Sequence, residues 1–204
     1  MICFAPSPSA LAWLNVSYPS LRSYIKTLRG LLKRKSSWLA QESMALADLC
    51  LAYGTLAGLT EREKKTLFIA AYFKNLGAVF LNNLVLEQKF DSYPQVQAHL
   101  GSWFQESAEL AREAGLAEVA VILEQYHPRT VPEDKLAKIF QVLNAWVSCR
   151  HPKAWRAPMG EEETLAALEE RAQLQWSDAY TVYHFIEYFR QPTSQASAAG
   201  SSQT

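Results

Sequence analysis

Apolar residues recur three and four positions apart along most of the chain, and the alternation typical of a half-buried strand is nearly absent. The first such stretch runs from about Tyr18 to Leu32. It ends in a basic cluster, Lys33, Arg34 and Lys35, which suits the negative end of a helix dipole. The next stretch, "SSWLAQESMALADLCLAYGTLAG", predicts a long core helix that Gly58 can terminate. The pattern therefore predicts an all-α fold.

A capping signal marks the start of the following helix. Thr60 and Glu63 have the spacing of a capping box, in which each side chain satisfies a free backbone amide of the other residue. This helix should run to about Asn75 and break at Gly77. The "NN" pair a few residues later tolerates a tight turn.

Proline, glycine and serine residues divide the second half of the chain into further helices. Pro94 suits the first turn of one helix carrying "VQAHLGSWFQESAELAREAG", with Gly115 past its end. The segment "LAEVAVILEQYH" is stopped by Pro128, and "PEDKLAKIFQVLNAWVSC" is opened by Pro132. Glutamates begin "EEETLAALEERAQL", and Ser177 is the predicted cap of "SDAYTVYHFIEYFR".

The ends of the chain differ in composition from its middle. Residues 191–204 include "TSQASAAGSSQT", which is small and polar, so we expect them to form a disordered tail. Residues 1–40 are expected to be an N-terminal extension with one amphipathic helix, and residues 41–190 to be the main helical domain. The apolar N-terminus lacks an early positive charge and is broken by Pro6 and Pro8, so it does not resemble a signal peptide.

Composition narrows the classes of function. The 204 residues are 49% apolar, and their 20 basic and 20 acidic residues cancel, so no global field favours nucleic acid or an anionic membrane. No uninterrupted apolar run approaches the roughly 18 residues of a membrane span. Three widely spaced cysteines, Cys3, Cys50 and Cys149, form no disulfide or zinc pattern and are expected to be reduced and hydrophobic. We expect a cytoplasmic protein without a cofactor.

The order of several motifs resembles the HD-GYP branch of the HD-domain phosphohydrolase superfamily. "ESMALADL" and "YFKNLGAVFLNNLVL" fall where that family has its first metal-binding helix and "LLHDIGKIGIPDSIL". "WFQESAEL", "AVILEQYHPR" and "LAKIFQVLNAW" are similar to later family motifs, and "RHPKAWRAPMGEEETL" is similar to its "RPYR" ending. The resemblance covers about Gln41 to Phe189. It implies an HD-domain-like helical bundle, and active members are metal-dependent phosphodiesterases that act on cyclic di-GMP.

The chain departs from the family at nearly every metal-binding position. The "GYP" loop is missing, because only four residues separate His127 from Pro132, and Ala78 replaces the lysine after the family's glycine. Carried over residue by residue, the resemblance gives this vestigial site: Glu42 for the first-helix histidine, Lys74 and Asn75 for the HD pair, Trp103 for the next histidine, Tyr126 and His127 for the histidine pair, and Asn144 for the late aspartate.

These replacements are poor metal ligands. A binuclear hydrolase needs imidazoles and carboxylates to hold two divalent ions and to generate a hydroxide nucleophile. Unit charges about 4 Å apart interact by about 4 kcal/mol at an effective dielectric near 20, and the repulsion between Lys74 and a divalent ion is about twice that. We therefore expect no metal and no catalytic residue. No serine-hydrolase elbow, phosphate-binding glycine loop or H-E-x-x-H motif supplies another activity.

The resemblance also predicts what fills the former metal site. Because the first-helix histidine and the HD pair converge in the family, we expect Lys74 to form an ion pair with Glu42 within about 4 Å. Asn75 and Asn144 should hydrogen-bond nearby, while Trp103 and Tyr126 should fill much of the emptied volume. The alternative is that Lys74 extends into solvent from a helix end.

Three functions stay open at this point. The first is a catalytically inactive HD-GYP-like pseudoenzyme that acts as a regulatory or protein-interaction module in bacterial signalling, with a partner in the cyclic di-GMP network. The second is a cyclic dinucleotide sensor that binds without cleaving, in which Lys74 meets a phosphate and Trp103 or Tyr126 stacks on a base. The third and least favoured is a residual phosphodiesterase. A homodimer is compatible with each.

Overall fold

The computed structural model describes residues 19–100 and 102–190, and their backbone is almost entirely helical. These residues contain no β-strand and only one isolated bridge, between Lys153 and Arg156. The prediction of an all-α fold is therefore confirmed. Across the described ranges no helix is long and apolar enough to span a membrane.

The helices of the described residues are α1 Pro19–Lys35, α2 Ser37–Leu56, α3 Glu61–Phe73, a 3-10 helix Leu76–Phe80, α4 Asn83–Glu87, α5 Tyr93–Leu100, α6 Trp103–Glu113, α7 Ala117–Glu124, α8 Lys135–Arg150, α9 Glu161–Gln173 and α10 Ala179–Arg190.

Helix α2 lies at the centre of the bundle. It packs most extensively against α3 and also against α1, α8 and α10. Leu39, Leu46 and Cys50 of α2 are fully buried, because apolar residues cover most of its circumference rather than one stripe. In this central position, α2 passes beside the turn that follows α3. The candidate site lies between that turn and α2.

Several predicted helix boundaries agree with the structure. Gly58 adopts φ +65° after the end of α2, a backbone conformation that glycine tolerates best. Thr60 and Glu63 form the predicted capping box at the start of α3. Gly115 has φ +73° beyond the end of α6. In each case a local side-chain or glycine rule, rather than packing, determines the boundary.

Other boundaries differ from the sequence prediction. The single helix predicted after Pro94 is two, α5 and α6, because α6 starts anew at Trp103 against the backbone of the turn at Gly77. Helix α8 begins at Lys135 rather than Pro132, since the Asp134 side chain accepts the Ala137 amide at 2.9 Å.

The predicted cap of the last helix is wrong. Asp178, not Ser177, accepts the Thr181 amide, at 2.9 Å. The Ser177 hydroxyl instead accepts from the Arg171 guanidinium at 3.0 Å. A carboxylate at the next position competes well for the free amides at a helix start.

The predicted terminal segments are described only in part. The expected disordered tail, residues 191–204, lies outside the described residues, as do residues 1–18. Of the expected N-terminal extension, α1 and the first residues of α2 are described. Ile25 and Leu32 of α1 belong to the same buried hydrophobic cluster as the rest of the bundle, so α1 is anchored to the domain.

Candidate functional site

The turn that follows α3 brings Lys74 against Glu42 inside the protein. The Lys74 Nζ lies 2.7 Å from Glu42 Oε2, and the two side chains are 2% and 0% exposed. The predicted ion pair is confirmed, and Lys74 does not extend into solvent. Glu42 is held on α2 two turns before Leu49, and Lys74 follows the last residue of α3, so the pair joins two neighbouring helices.

A second lysine, which the sequence reading missed, binds the same carboxylate. Lys153 Nζ lies 2.6 Å from Glu42 Oε1, and its side chain is 8% exposed. Its ammonium also lies 4.7 Å from the ring centroid of Trp38 and 5.9 Å from that of Trp155. Lys153 lies in the segment that resembles the family's "RPYR" motif. The cationic character of that motif was the one signal by which the sequence could have indicated Lys153.

One carboxylate between two ammonium groups sets the protonation of the site. Burial alone would raise the pKa of Glu42, but the charges of Lys153 and Lys74 outweigh it and hold that pKa far below its usual range. Burial and the neighbouring charge of Lys153 together lower the pKa of Lys74 to about 8, against the attraction of Glu42. The cluster therefore carries one excess positive charge.

Asn75 completes the polar cluster from the α3 side. Its amide nitrogen donates to the Leu39 carbonyl at 3.1 Å, to Ser43 Oγ at 3.0 Å and to Glu42 Oε2 at 3.3 Å. The predicted contact between Asn75 and the ion pair is confirmed. Asn144 is buried beside the site, but its Oδ1 has no hydrogen-bond partner among the described residues. Asn144 also lines the cavity described below.

The backbone of the turn is held by α6. The Lys74 carbonyl accepts from Trp103 Nε1 at 2.7 Å and from Ser107 Oγ at 3.0 Å. The Gly77 amide in turn donates to Ser107 Oγ at 2.8 Å. These buried bonds orient the end of α3, and so they direct the Lys74 side chain toward Glu42.

A cavity of about 620 Å³ opens beside the ion-pair cluster. Six of the seven residues of the predicted vestigial site line it, namely Glu42, Lys74, Trp103, Tyr126, His127 and Asn144. The prediction that Trp103 and Tyr126 fill the former metal site is not met. Tyr126 stacks on Phe104 with centroids 4.0 Å apart, and Trp103 is tied to the Lys74 carbonyl, so both form walls and leave the volume open.

Aromatic rings form a continuous wall around this cavity. Trp155 contacts Phe90 and Trp38 with centroids 5.5 and 5.7 Å apart. The ring centroids of Trp38 and Trp103 lie 6.0 Å apart. The Trp103 ring is parallel to that of Phe104, with centroids 6.2 Å apart. The sequence analysis named Trp103 and Tyr126 but did not identify this wall, because its rings come from five separate segments of the chain.

His127, the one histidine of the predicted vestigial site, is turned toward its own loop. Its Nδ1 accepts from the Arg129 amide at 3.1 Å and lies 3.0 Å from Thr130 Oγ1. The Gln141 side chain fixes the same loop by donating to the carbonyls of His127 and Thr130 at 2.6 and 2.8 Å. The imidazole is exposed and lies at the edge of the cavity.

The donor set at this site does not fit the two metals of the family. Of the two carboxylates that line the cavity, Glu42 already binds two ammonium groups and Asp91 is exposed, and the remaining oxygen and nitrogen donors are amides, hydroxyls, one phenol and one turned imidazole. Across residues 19–100 and 102–190, no three His, Cys, Asp or Glu side chains are grouped as ligands of one ion. A cation entering here would have to displace Lys74 and Lys153 from Glu42.

Comparisons of the chain with family models, with curated proteins and with solved structures gave no match.

The lowered pKa of Lys74 predicts how stability depends on pH. The folded pKa of about 8 lies below the usual 10.5, so the unfolded chain binds more protons than the folded chain between these pH values. The contribution of Lys74 therefore increases the free energy of unfolding as the pH rises through this window. At about 1.4 kcal/mol per pKa unit, the gain is on the order of 3 kcal/mol.

This effect has to be separated from other titrating groups. Burial raises the pKa values of the Cys50 thiol and of Tyr53 and Tyr72, and these groups oppose the Lys74 effect at high pH. Urea denaturation of the wild type and of Lys74→Met at pH 7, 8, 9 and 10 isolates the Lys74 effect as the difference between their free energies of unfolding. We expect the free energy of unfolding of the wild type to increase relative to that of Lys74→Met as the pH rises. A difference that is constant with pH would show that Lys74 keeps its usual pKa.

Proposed function

We propose that the chain is a catalytically inactive, HD-GYP-like binding module of a bacterial signalling system, and that its cavity holds a small anionic ligand with planar rings. The observation that carries this proposal is the Glu42 carboxylate bridged by Lys74 and Lys153 at the base of an aromatic-walled cavity. The bridge replaces metal chemistry with fixed charge, while the cavity keeps a volume suited to a ligand.

Fixed charges at the cavity favour an anion. Three cations line the cavity, Lys74, Lys153 and Arg156, and they outnumber its two carboxylates, Glu42 and Asp91, by one. The Arg156 guanidinium donates to the Ser148 carbonyl at 2.5 Å, and its Nη1 lies 3.6 Å from Cys149 Sγ and from Met159 Sδ, so this cation is fixed at the cavity. A phosphate accepts such donors strongly.

The aromatic wall favours planar rings in the same ligand. Base stacking on aromatic side chains contributes about 1–3 kcal/mol per base and depends little on base identity. Trp155, Phe104 and Tyr126 line the cavity with ring faces or edges.

A nucleotide combines these properties, and the resemblance to HD-GYP domains makes a cyclic dinucleotide the first candidate. The cavity volume of about 620 Å³ lies within the roughly 300–1,000 Å³ of typical small-molecule sites. The specific assignment to cyclic di-GMP rests on the family resemblance, whereas the preference for an anion with rings rests on the cavity itself.

Calorimetry with cyclic di-GMP, cyclic di-AMP, GMP and inorganic pyrophosphate tests the proposal. We expect at least one nucleotide to bind with a micromolar Kd, and Lys153→Gln to weaken that binding tenfold or more because it removes a cation at the cavity. The matched control is Lys26→Gln, which removes an exposed lysine on α1 and should leave the Kd unchanged.

The same protein should hydrolyse none of these nucleotides and should carry no stoichiometric transition metal. The absence of binding by all four ligands would contradict the ligand-binding proposal. Two equivalents of iron or manganese, or turnover that is lost in His127→Ala, would contradict the inactive-enzyme part.

A further inference from the structure

Helix α1 carries a concentration of positive charge that the cavity does not use. Six of the chain's 20 Lys and Arg residues lie in α1, and none of its 20 Asp and Glu residues does. Four of the six occupy positions i, i+4, i+7 and i+11, which place them on one face of a helix. We call these four residues the basic row: Arg22, Lys26, Arg29 and Lys33.

The basic row is accessible along its length. Arg22, Lys26 and Lys33 are exposed, and Arg29 is half-buried. Eleven residues of helix separate the first from the last, so the row extends about 16 Å at 1.5 Å per residue. The apolar face of α1 is anchored in the core through Ile25 and Leu32, which fixes the row toward the outside.

The three exposed cations of the row form no ion pair in the described part of the chain. No described carboxylate lies within 4 Å of Arg22, Lys26 or Lys33, although exposed basic residues on other helices, such as Arg62, Lys135 and Arg190, are paired with glutamates. The half-buried Arg29 interacts electrostatically with Tyr72, and so does Asp48. The sequence outside the described residues contains no aspartate or glutamate. The exposed cations of the row therefore lack an internal acidic side chain as a partner.

The row also costs helix stability. Like charges four residues apart on a helix repel each other, and cations near a helix N-terminus oppose the positive end of the dipole. The dipole accounts for Lys33, Arg34 and Lys35 in the last turn, but not for Arg22 and Lys26 in the first half. A charge pattern that destabilises its own helix is explained by an anionic partner that offsets the cost.

We infer that the basic row is a docking surface for an acidic helix of a partner protein. Carboxylates at positions i, i+4, i+7 and i+11 of such a helix lie on one face, and their spacing along the helix axis equals that of the four cations in the row. Beside the row, Ser23, Thr27 and Gly30 are exposed and short, and no atom lies within 4 Å of where a Gly30 side chain would begin. A second helix can therefore approach closely.

Two other polyanions fit these observations less well. A membrane-surface helix needs a broad free apolar face next to its cations, whereas Ile25 and Leu32 of α1 are buried in the core and the exposed Tyr24 and Leu31 lie on the opposite side of the helix from the row. Single-stranded nucleic acid favours aromatic side chains among the cations, but the exposed Tyr24 lies on the opposite side of α1 from the row. The zero net charge of the whole chain also provides no field that attracts a long polyanion.

Fluorescence anisotropy with two synthetic peptides tests the inference on the full-length chain. Both are alanine-rich helices of identical composition; one places four glutamates at i, i+4, i+7 and i+11, and the other spreads them around the helix. We expect the first peptide to bind at least tenfold more tightly at about 50 mM salt, and the affinity to fall as salt rises.

A charge-matched pair of variants identifies the surface. The triple substitution Arg22→Gln, Lys26→Gln and Lys33→Gln should weaken binding of the first peptide tenfold or more. The control removes the same three charges from exposed residues elsewhere, as Lys89→Gln, Arg112→Gln and Arg190→Gln, and should change the affinity less than twofold. All six side chains are exposed, so both variants should fold.

Several outcomes would overturn the inference. One is equal affinity for the two peptides, and another is an equal loss in the two triple variants, since each indicates unspecific charge attraction. Tighter, row-dependent binding to phosphatidylserine-containing vesicles or to a duplex oligonucleotide would assign the row to a different class of partner. Nucleotide binding in the cavity involves none of these residues, so the two proposals can fail independently.

Discussion

Replacing Glu42 by glutamine should lower the free energy of unfolding by about 3–5 kcal/mol. The substitution keeps the shape of the side chain but removes the only carboxylate that Lys74 and Lys153 contact. Two ammonium groups, 2% and 8% exposed, would then be buried beside each other without a counter-charge. Urea denaturation at pH 7 measures the loss, and Glu113→Gln on the exposed face of α6 is the matched control, with an expected change below about 0.5 kcal/mol.

Removing one of the lysines should have a much smaller effect. In Lys74→Met the Glu42 carboxylate keeps Lys153, the methionine fills the volume of the lysine stem, and one buried excess charge disappears. We expect a change within about 1 kcal/mol at pH 7. This asymmetry follows from the count of charges, because two cations share one anion.

The double variant Glu42→Gln, Lys74→Met completes the cycle. It leaves only Lys153 unpaired, so part of the loss in Glu42→Gln should be recovered and the coupling energy should be at least about 1 kcal/mol. Losses that simply add, or a Glu42→Gln protein as stable as the wild type, would mean that solvent screens this cluster and that the site has no fixed ion pair.

Much of the fold could be predicted because local rules determine where its helices end. The capping box at Thr60 and Glu63 and the glycines at positions 58 and 115 act within a few residues, so a single sequence contains the whole signal. The start of α6 at Trp103 could not be predicted in this way, since packing against a turn about 26 residues earlier in the chain breaks the helix there.

In the candidate site, too, some contacts could be predicted from the sequence and others could not. The contact of Lys74 with Glu42 could be predicted from the resemblance, which aligns both positions with groups that meet at one metal centre in that family. Lys153 could not, since it comes from a loop between α8 and α9 more than 100 residues away from Glu42. The open cavity was also missed, because whether Trp103 fills a volume or lines it depends on the hydrogen bond to the Lys74 carbonyl.

Gly77, in the turn that follows α3, should prove as sensitive to substitution as the ion pair. A side chain at Gly77 would begin 2.0 Å from the Trp103 carbonyl oxygen and 3.0 Å from the Ser107 amide nitrogen. Both are backbone atoms that cannot rotate away, so Gly77→Ala should push α6 from the turn. We expect a loss of about 3–5 kcal/mol, which combines overpacking with the loss of the buried hydrogen bonds between Ser107 and the turn.

Gly30→Ala is the control that makes this prediction specific. Gly30 lies within α1 with no atom in contact range of a new side chain, so alanine should raise stability by about 0.5–1 kcal/mol through its higher helix propensity. The same substitution is thus expected to have opposite signs at two helical glycines, measured as shifts of the urea midpoint. If Gly77→Ala stays within about 1 kcal/mol of the wild type, α6 is not seated on the turn. In that case the bonds from Trp103 and Ser107 to the Lys74 carbonyl are not what directs Lys74 toward Glu42.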